Sequence, residues 1–257
     1  MSRRPRSTEE VPQNLRASFA ADLHGVGIEI GALANPLWLP AGASVIFADK
    51  FDYDALCARN PDVPADRIVH PEVICDAMSL EGLADASFDF LIACHLLEHV
   101  HDPIRALLAW RRVLKPGGLA LCIVPDARFS FDRGRPLTSI EHLLWDFANA
   151  GTELKVLSDL GHIAECNLNM HRSLDVEGAV DLARRILRES YDTHFHVWSY
   201  ESLRAQLGEL IRTYGLPFAL RRSACDETGE MLFLLEGTRS RTGRLNDVDS
   251  LAPRAAR

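Results

Sequence analysis

In this 257-residue chain, carboxylate, imidazole and glycine residues recur where a short apolar run gives way to polar sequence. Ligand chemistry in an open sheet needs groups at such places, beyond the ends of the strands. The first run releases Glu29-Ile30-Gly31-Ala32, the second Asp49-Lys50 and the third Asp76-Ala77-Met78. The fourth releases His95, with Glu98 and His99 close behind, and the fifth Asp126. A glycine turn lets backbone approach a ligand, and a carboxylate on the next strand can accept from both hydroxyls of a ribose. Asp49 lies 20 residues beyond Glu29, the interval of one strand-crossover-strand step. Either a nicotinamide dinucleotide or another adenosine cofactor fits that much. His95, Glu98 and His99 stand at i, i+3 and i+4, so on a helix they would share one face and could hold a divalent metal. Local hydrogen bonding explains such a run better, and a metal-free site is the expectation, with the metal as the alternative.

The elements that must position these groups read as alternating strands and helices. Val26–Ile30, Val45–Ala48, Val73–Cys75, Phe88–Cys94 and Leu119–Val124 are β-type runs apolar on both faces, as in a parallel sheet covered on both sides. The spacing predicts a helix over Pro103–Leu114, with Asp102 as N-cap and Lys115-Pro116-Gly117-Gly118 as the turn that ends it. Residues 126–196 offer no strand but two or three helical stretches, Ser139–Ala150 and Leu174–Glu189 among them, and read as an inserted lid. Tyr200–Tyr214 is an amphipathic helix, and Phe218–Ser223 with Met231–Glu236 a hairpin around Asp226-Glu227-Thr228-Gly229. The expected fold is α/β: a doubly wound, mostly parallel seven-stranded sheet closed by an antiparallel hairpin. One domain would span residues 13–238, between aperiodic tails at 1–12 and 239–257 expected to be disordered.

Composition narrows the function classes. At 47% hydrophobic and 25% charged, the chain is globular. Its formal net charge is −8, yet each Arg-rich tail carries +3, which leaves the body near −14. An acidic body argues against nucleic acid as a partner, because that affinity comes from Lys and Arg neutralising phosphates. The six Cys contain no C-x-x-C pair and read as small buried hydrophobes in a reducing compartment. No apolar stretch approaches the roughly 18 residues of a membrane span. A cytoplasmic protein acting on a small molecule, without a membrane partner, is the expectation.

The motif order resembles the class I S-adenosylmethionine-dependent methyltransferases over about residues 24–126. The matching residues are Glu29-x-Gly31, Asp49, Asp76-Ala77, Phe88-Asp89-Phe90-Leu91-Ile92 leading to Leu97-Glu98-His99-Val100, and Leu114-Lys115-Pro116-Gly117-Gly118. The resemblance implies that Glu29, Gly31 and Ala32 approach the methionine part of S-adenosylmethionine. It implies that Asp49 and Lys50 take the ribose, that Asp76, Ala77 and Met78 hold adenine, and that His95 lies near the sulfonium. The family's usual glycine loop is E-x-G-x-G-x-G; here Leu33 and Asn35 occupy its second and third glycine positions, followed by Pro36 and Pro40. A helix after the first strand is therefore expected to be short or absent.

Later in the chain, Arg128-Phe129-Ser130-Phe131-Asp132-Arg133-Gly134-Arg135-Pro136-Leu137-Thr138-Ser139-Ile140-Glu141-His142 and His194-Phe195-His196-Val197-Trp198 resemble a bacterial methyltransferase subgroup found beside glycosyltransferases. That likeness implies a sugar or glycan-linked hydroxyl as acceptor. His95, Glu98 and His99 also resemble the metal-binding E-x-x-E-H cluster of some ubiquinone-pathway O-methyltransferases, with His95 for the first Glu. Methyl transfer to a hydroxyl needs in-line alignment and removal of a proton. Candidates for the base are His95, His99, His142, His196 and Asp126, with Asp126, Arg128, Asp132 and Arg135 orienting the acceptor. Two other classes stay open: a nicotinamide-dependent oxidoreductase, which leaves Asp76 unexplained, and a non-catalytic scaffold, suggested by the depleted glycine loop.

Overall fold

A computed structural model describes residues 14–171, 173–189, 193–239 and Leu245. The expected tail at 1–12 lies outside the described residues, and of the tail at 239–257 only Arg239 and Leu245 lie within them. Among the described residues the helices are α1 (Leu15–Ala20), α2 (Tyr53–Arg59), α3 (Pro103–Val113), α4 (Ile140–Ala148), α5 (Glu153–Met170), α6 (Val176–Glu189) and α7 (Tyr200–Arg212). The strands are β1 (Gly25–Ile30), β2 (Ala43–Asp49), β3 (Val73–Ile74), β4 (Phe88–Cys94), β5 (Leu114–Pro125), β6 (Phe218–Cys225) and β7 (Glu230–Gly237).

The strands form one sheet in the order β3-β2-β1-β4-β5-β7-β6. β1 to β5 run parallel, and β7 lies antiparallel between β5 and β6. Winding reverses between β1 and β4, so the loops leaving those two strands diverge and open a crevice.

Period-two alternation gives both faces a core. Leu91, Ala93, Ala120, Cys122 and Phe233 face one cluster with Trp110 of α3 and Leu203 and Leu207 of α7. Their neighbours Phe90, Ile92, Leu121, Ile123 and Leu234 face the other, which Phe19 of α1 and Leu37 cover. No helix follows β1: residues 31–42 are loop, in keeping with Pro36 and Pro40. Leu245 is buried, and its N–H donates to the Tyr214 carbonyl.

Some boundaries differ from the sequence reading. α3 ends at Val113 because Leu114 already pairs with Phe88. The Lys115–Gly118 turn becomes an irregularity inside β5: Gly117 adopts φ +78°, and a Cβ on Gly118 would lie 3.0 Å from the Asp89 carbonyl oxygen. Ser139 caps α4, its side chain accepting from the His142 N–H, instead of opening the helix. α6 begins at Val176 instead of Leu174, and α5 fills a stretch whose apolar spacing had not delimited a helix.

Gly27 reports on the packing of β1 against β4. A Cβ there would lie 2.1 Å from the ring of fully buried Phe90. Gly27→Ala is expected to destabilise the fold by about 1–3 kcal/mol, the usual cost of overpacking, as measured by urea unfolding. An unchanged midpoint would show that the ring has room to move.

Candidate functional site

At the carboxyl ends of β1 to β4 the loops enclose a cavity of about 850 Å3. Gly31, Ala32, Asp49, Lys50, Asp76, Ala77, Met78 and His95 all line it. Gly31 takes φ +70° and donates its N–H to the Ala48 carbonyl at 2.9 Å, which holds the first turn against β2. The nearest atom to an added Cβ would be 3.8 Å away, so backbone conformation rather than space selects glycine there. Leu33, at the family's second glycine position, also adopts a left-handed backbone, with φ +44°. Asp49 Oδ1 accepts from the Phe51 N–H (3.1 Å), and Asp76 Oδ1 from the Met78 N–H (2.7 Å), so each carboxylate is fixed by its own turn. Trp110 Nε1 donates to the Ala77 carbonyl at 2.9 Å, pinning the third loop to the core.

Glu29 departs from its implied role. It is fully buried, does not line the cavity, and accepts the Leu37 N–H at 2.8 Å. Strand alternation puts it on the face opposite Ile28 and Ile30, where it braces the glycine loop from behind.

His95 sits in a left-handed conformation (φ +49°), with its N–H donating to the Ile123 carbonyl. Its Nε2 lies 3.0 Å from Glu230 Oε1, and its Nδ1 3.6 Å from Glu98 Oε1. Arg16 of α1, also on the cavity wall, donates from Nε to Glu230 Oε2 at 2.6 Å. The bond to Glu230, joined by Glu98, raises the His95 imidazole to about 9 against the opposing pull of burial. Burial would raise Glu230, but Arg16 and His95 outweigh it and hold that carboxyl at about 2. At neutral pH His95 therefore faces the cavity as an imidazolium, a poor candidate for the base. Sequence reading missed Arg16 and Glu230; they are 214 residues apart, and no local pattern joins them.

Behind this wall lie the other candidates. Glu98 is fully buried, and neither carboxylate oxygen has a hydrogen-bond partner among the described residues. Ligand-capable atoms of Glu98, His99 and His194 lie within 4.8 Å of one another. His99 Nδ1 is 2.9 Å from the Thr193 carbonyl, and His194 Nδ1 is 2.5 Å from Asp132 Oδ2. Arg135 donates to Asp132 Oδ1 (2.6 Å) and to the His194 carbonyl (3.1 Å). Asp132 and Arg135 are thus buried supports of His194, away from the cavity wall where acceptor ligands were expected. The expected helical face of His95, Glu98 and His99 is also absent: only Leu97–His99 is helical, a single 3-10 turn, and His194 takes the third place.

Asp126 and Arg128 likewise lie off the cavity. Asp126 Oδ2 accepts from Arg128 Nη2 (2.6 Å) and from the Tyr200 N–H (2.9 Å), tying the end of β5 to α7. His142 and His196 converge on Asp146, Nε2 to Oδ2, at 3.1 and 2.9 Å, with Lys155 Nζ 3.2 Å from Oδ1. Burial favours neutral His196, so its Nε2–H donates to the carboxylate. Burial opposes the Asp146 charge, but His142, His196 and Lys155 prevail and hold its carboxyl well below the usual range. Geometry therefore makes these two histidines clamps of the insertion. His101, which does line the cavity, bonds Asp159 Oδ2 from Nδ1 at 2.9 Å.

Residues 25–122 match the family described as a methyltransferase domain. Over 98 residues the chain is 34% identical to a ubiquinone biosynthesis O-methyltransferase of Roseobacter denitrificans, covering 38% of each chain. A Cereibacter sphaeroides protein of the same name is 28% identical over 130 residues, 46% of this chain and 51% of its own. The chain thus spans between two-fifths and half the length of these curated relatives. Among solved structures, a Rhodobacter sphaeroides protein described as a Zn-dependent alcohol dehydrogenase superposes with TM-score 0.52 at 17% identity, over 90% of this chain and 92% of that one. That likeness is one of fold. Among the described residues no helix is long and apolar enough to cross a membrane.

The clamp of the insertion carries a pH dependence. Burial, reinforced by the neighbouring His142 and His196, pushes the His162 imidazole from 6.5 down to about 4. On acidification the unfolded chain takes up this proton first, so the group costs nothing above 6.5 and destabilises progressively as pH falls from 6.5 to 4. Urea unfolding at several pH values should show that loss, and His162→Gln should flatten it. An equal slope in the variant would assign the acid sensitivity elsewhere.

Proposed function

We propose that this chain, which carries a methyltransferase domain across residues 25–122, transfers the methyl group of S-adenosylmethionine to oxygen of a small-molecule acceptor. The observation that carries the reading is the convergence of the Gly31 turn with Asp49 and Asp76 on one cavity, at the sheet's switch point. A ribose and an adenine fit such a row, since strand-end carboxylates accept from hydroxyl and amino donors. Names of the curated relatives support oxygen as the target, at low identity and over part of their length. When bound, S-adenosylmethionine supplies an electrophilic methyl on a sulfonium. The chain's task is to align the acceptor and take its proton. We assign the second role to His99, which lines the cavity and whose ring is oriented by the 2.9 Å contact of Nδ1 with the Thr193 carbonyl.

A second reading, metal-assisted transfer, is favoured by Glu98. A buried carboxylate without hydrogen bonds is costly, and Glu98, His99 and His194 form a mixed donor set that suits several divalent ions. Asp132 and the Thr193 carbonyl would orient the two imidazoles, as outer partners do in metal sites. A metal there would act as a Lewis acid on the acceptor oxygen.

Calorimetry is expected to show S-adenosylhomocysteine binding, weakened about tenfold or more by Asp49→Asn and by Asp76→Asn, the scale of a lost hydrogen bond to a charged group. A thermal shift with NAD and none with S-adenosylhomocysteine would sink the proposal. For the metal, elemental analysis and melting with and without chelator decide: a stoichiometric ion whose removal lowers Tm in the parent but not in Glu98→Gln is expected. Metal-free, chelator-indifferent protein would leave only the first reading.

A further inference from the structure

We infer that the acceptor is amphipathic, a hydroxyl carried on an apolar body, and that the helical insertion selects it through an apolar roof. The inference rests on the methyltransferase reading above.

The cavity has two chemically different halves. Around the ends of β1 to β3 its wall is mixed, with Asp49, Lys50, Arg59 and Asp76 standing among apolar residues such as Leu33 and Phe51. Beyond His95 the character changes. Leu96 and Val100 form the wall after β4, and the insertion adds Ile163 from α5, Ile186 and Leu187 from α6, and Phe195. Among the described residues, all four wall residues from the insertion are apolar.

The insertion is not short of polar groups. Asp132, Arg135, Asp146, Lys155, Asp159 and His196 are all buried in it, but they are bonded to one another or to neighbouring histidines and do not line the cavity. Its polarity is thus spent internally, as a frame that holds an apolar surface over the site. Part of that surface serves the insertion's own core: Ile163 and Phe195 are buried in a cluster with Ala164 and Ala183. Ile186 and Leu187 are only partly buried, so they keep area to present to a ligand.

A polyol pressed beneath this roof would lose water from hydroxyls that find no partner there. A molecule with one reacting hydroxyl and an apolar remainder loses little. Among the described residues the polar groups on the wall at this end are the imidazoles of His95, His99 and His101 and the Arg16 guanidinium, which is already paired with Glu230; they are enough to orient one oxygen. At about 850 Å3 the cavity also lies near the top of the usual range for one ligand, which leaves room for cofactor and acceptor together.

Binding of 4-alkylphenols of increasing chain length to the full chain saturated with S-adenosylhomocysteine, measured by calorimetry beside free monosaccharides, tests the roof. Affinity should rise about two- to fourfold per added methylene until the space is filled, the scale of burying one such group, and monosaccharides should bind at least tenfold more weakly. Leu187→Gln should weaken the longer phenols about tenfold while leaving S-adenosylhomocysteine affinity unchanged, and Leu187→Met should restore them. Unchanged cofactor affinity shows that the variant folds. Equal or tighter binding of sugars, no dependence on chain length, or no phenol binding at millimolar concentration overturns the inference. If the parent chain fails to bind S-adenosylhomocysteine, the methyltransferase reading itself has failed instead.

Discussion

A carboxylate taken out of water must be met by donors, and this architecture is laid out around that constraint. Glu29, Asp126, Asp132 and Asp146 are almost wholly buried, and each ties a segment that local structure would leave loose. Glu29 secures the loop after β1, and Asp126 joins β5 to α7. Asp132 holds His194 across 62 residues of sequence, while Asp146 gathers His196, His142 and Lys155. Removing any one leaves donors stranded in the interior, a heavier penalty than the modest net worth of a hydrogen bond. Glu98 differs: among the described residues its oxygens carry no hydrogen bond, only the 3.6 Å ion-pair contact with His95, and it lies directly behind the cavity wall. Each of those four accepts at least one hydrogen bond, whereas Glu98 accepts none among the described residues.

The succession of strands and the inner part of the cavity, at the ends of β1 to β4, were legible in the sequence for a common reason. Both depend on short-range regularities: apolar runs whose ends carry the liganding groups, and turns whose glycines are fixed by φ. Gly31, Asp49, Asp76 and His95 are accordingly found lining the cavity. Glu29 is not, because a motif gives position along a strand, while the direction of a side chain follows from which face is already occupied.

The second half was hidden for a different physical reason. His142, His196, Asp132 and Arg135 have the types expected of a substrate site, yet their partners lie up to 62 residues away and claim them first. Charge alone does not say whether a residue will meet a ligand or another residue. What the insertion adds to the cavity wall is apolar and reads in sequence as ordinary helix core, so Ile186 and Leu187 gave no signal. Arg16 and Glu230 escaped notice because α1 and β7 stand at opposite ends of the described chain.

The position of β7 bears on how the chain emerges from the ribosome. β7 slots between β5 and β6, and through Glu230 it also holds His95 of the cavity wall. Until Glu230–Gly237 has been synthesised, β5 is an edge strand with apolar residues on both faces. An exposed, apolar edge is a template for pairing with another chain. The nascent protein thus passes through a stage in which the parallel sheet can assemble while its most adhesive border is open, as populated folding intermediates do. Closing that border and completing the His95 ion pair are one event in synthesis, so newly made chains become safe from aggregation only at the moment when their site is whole.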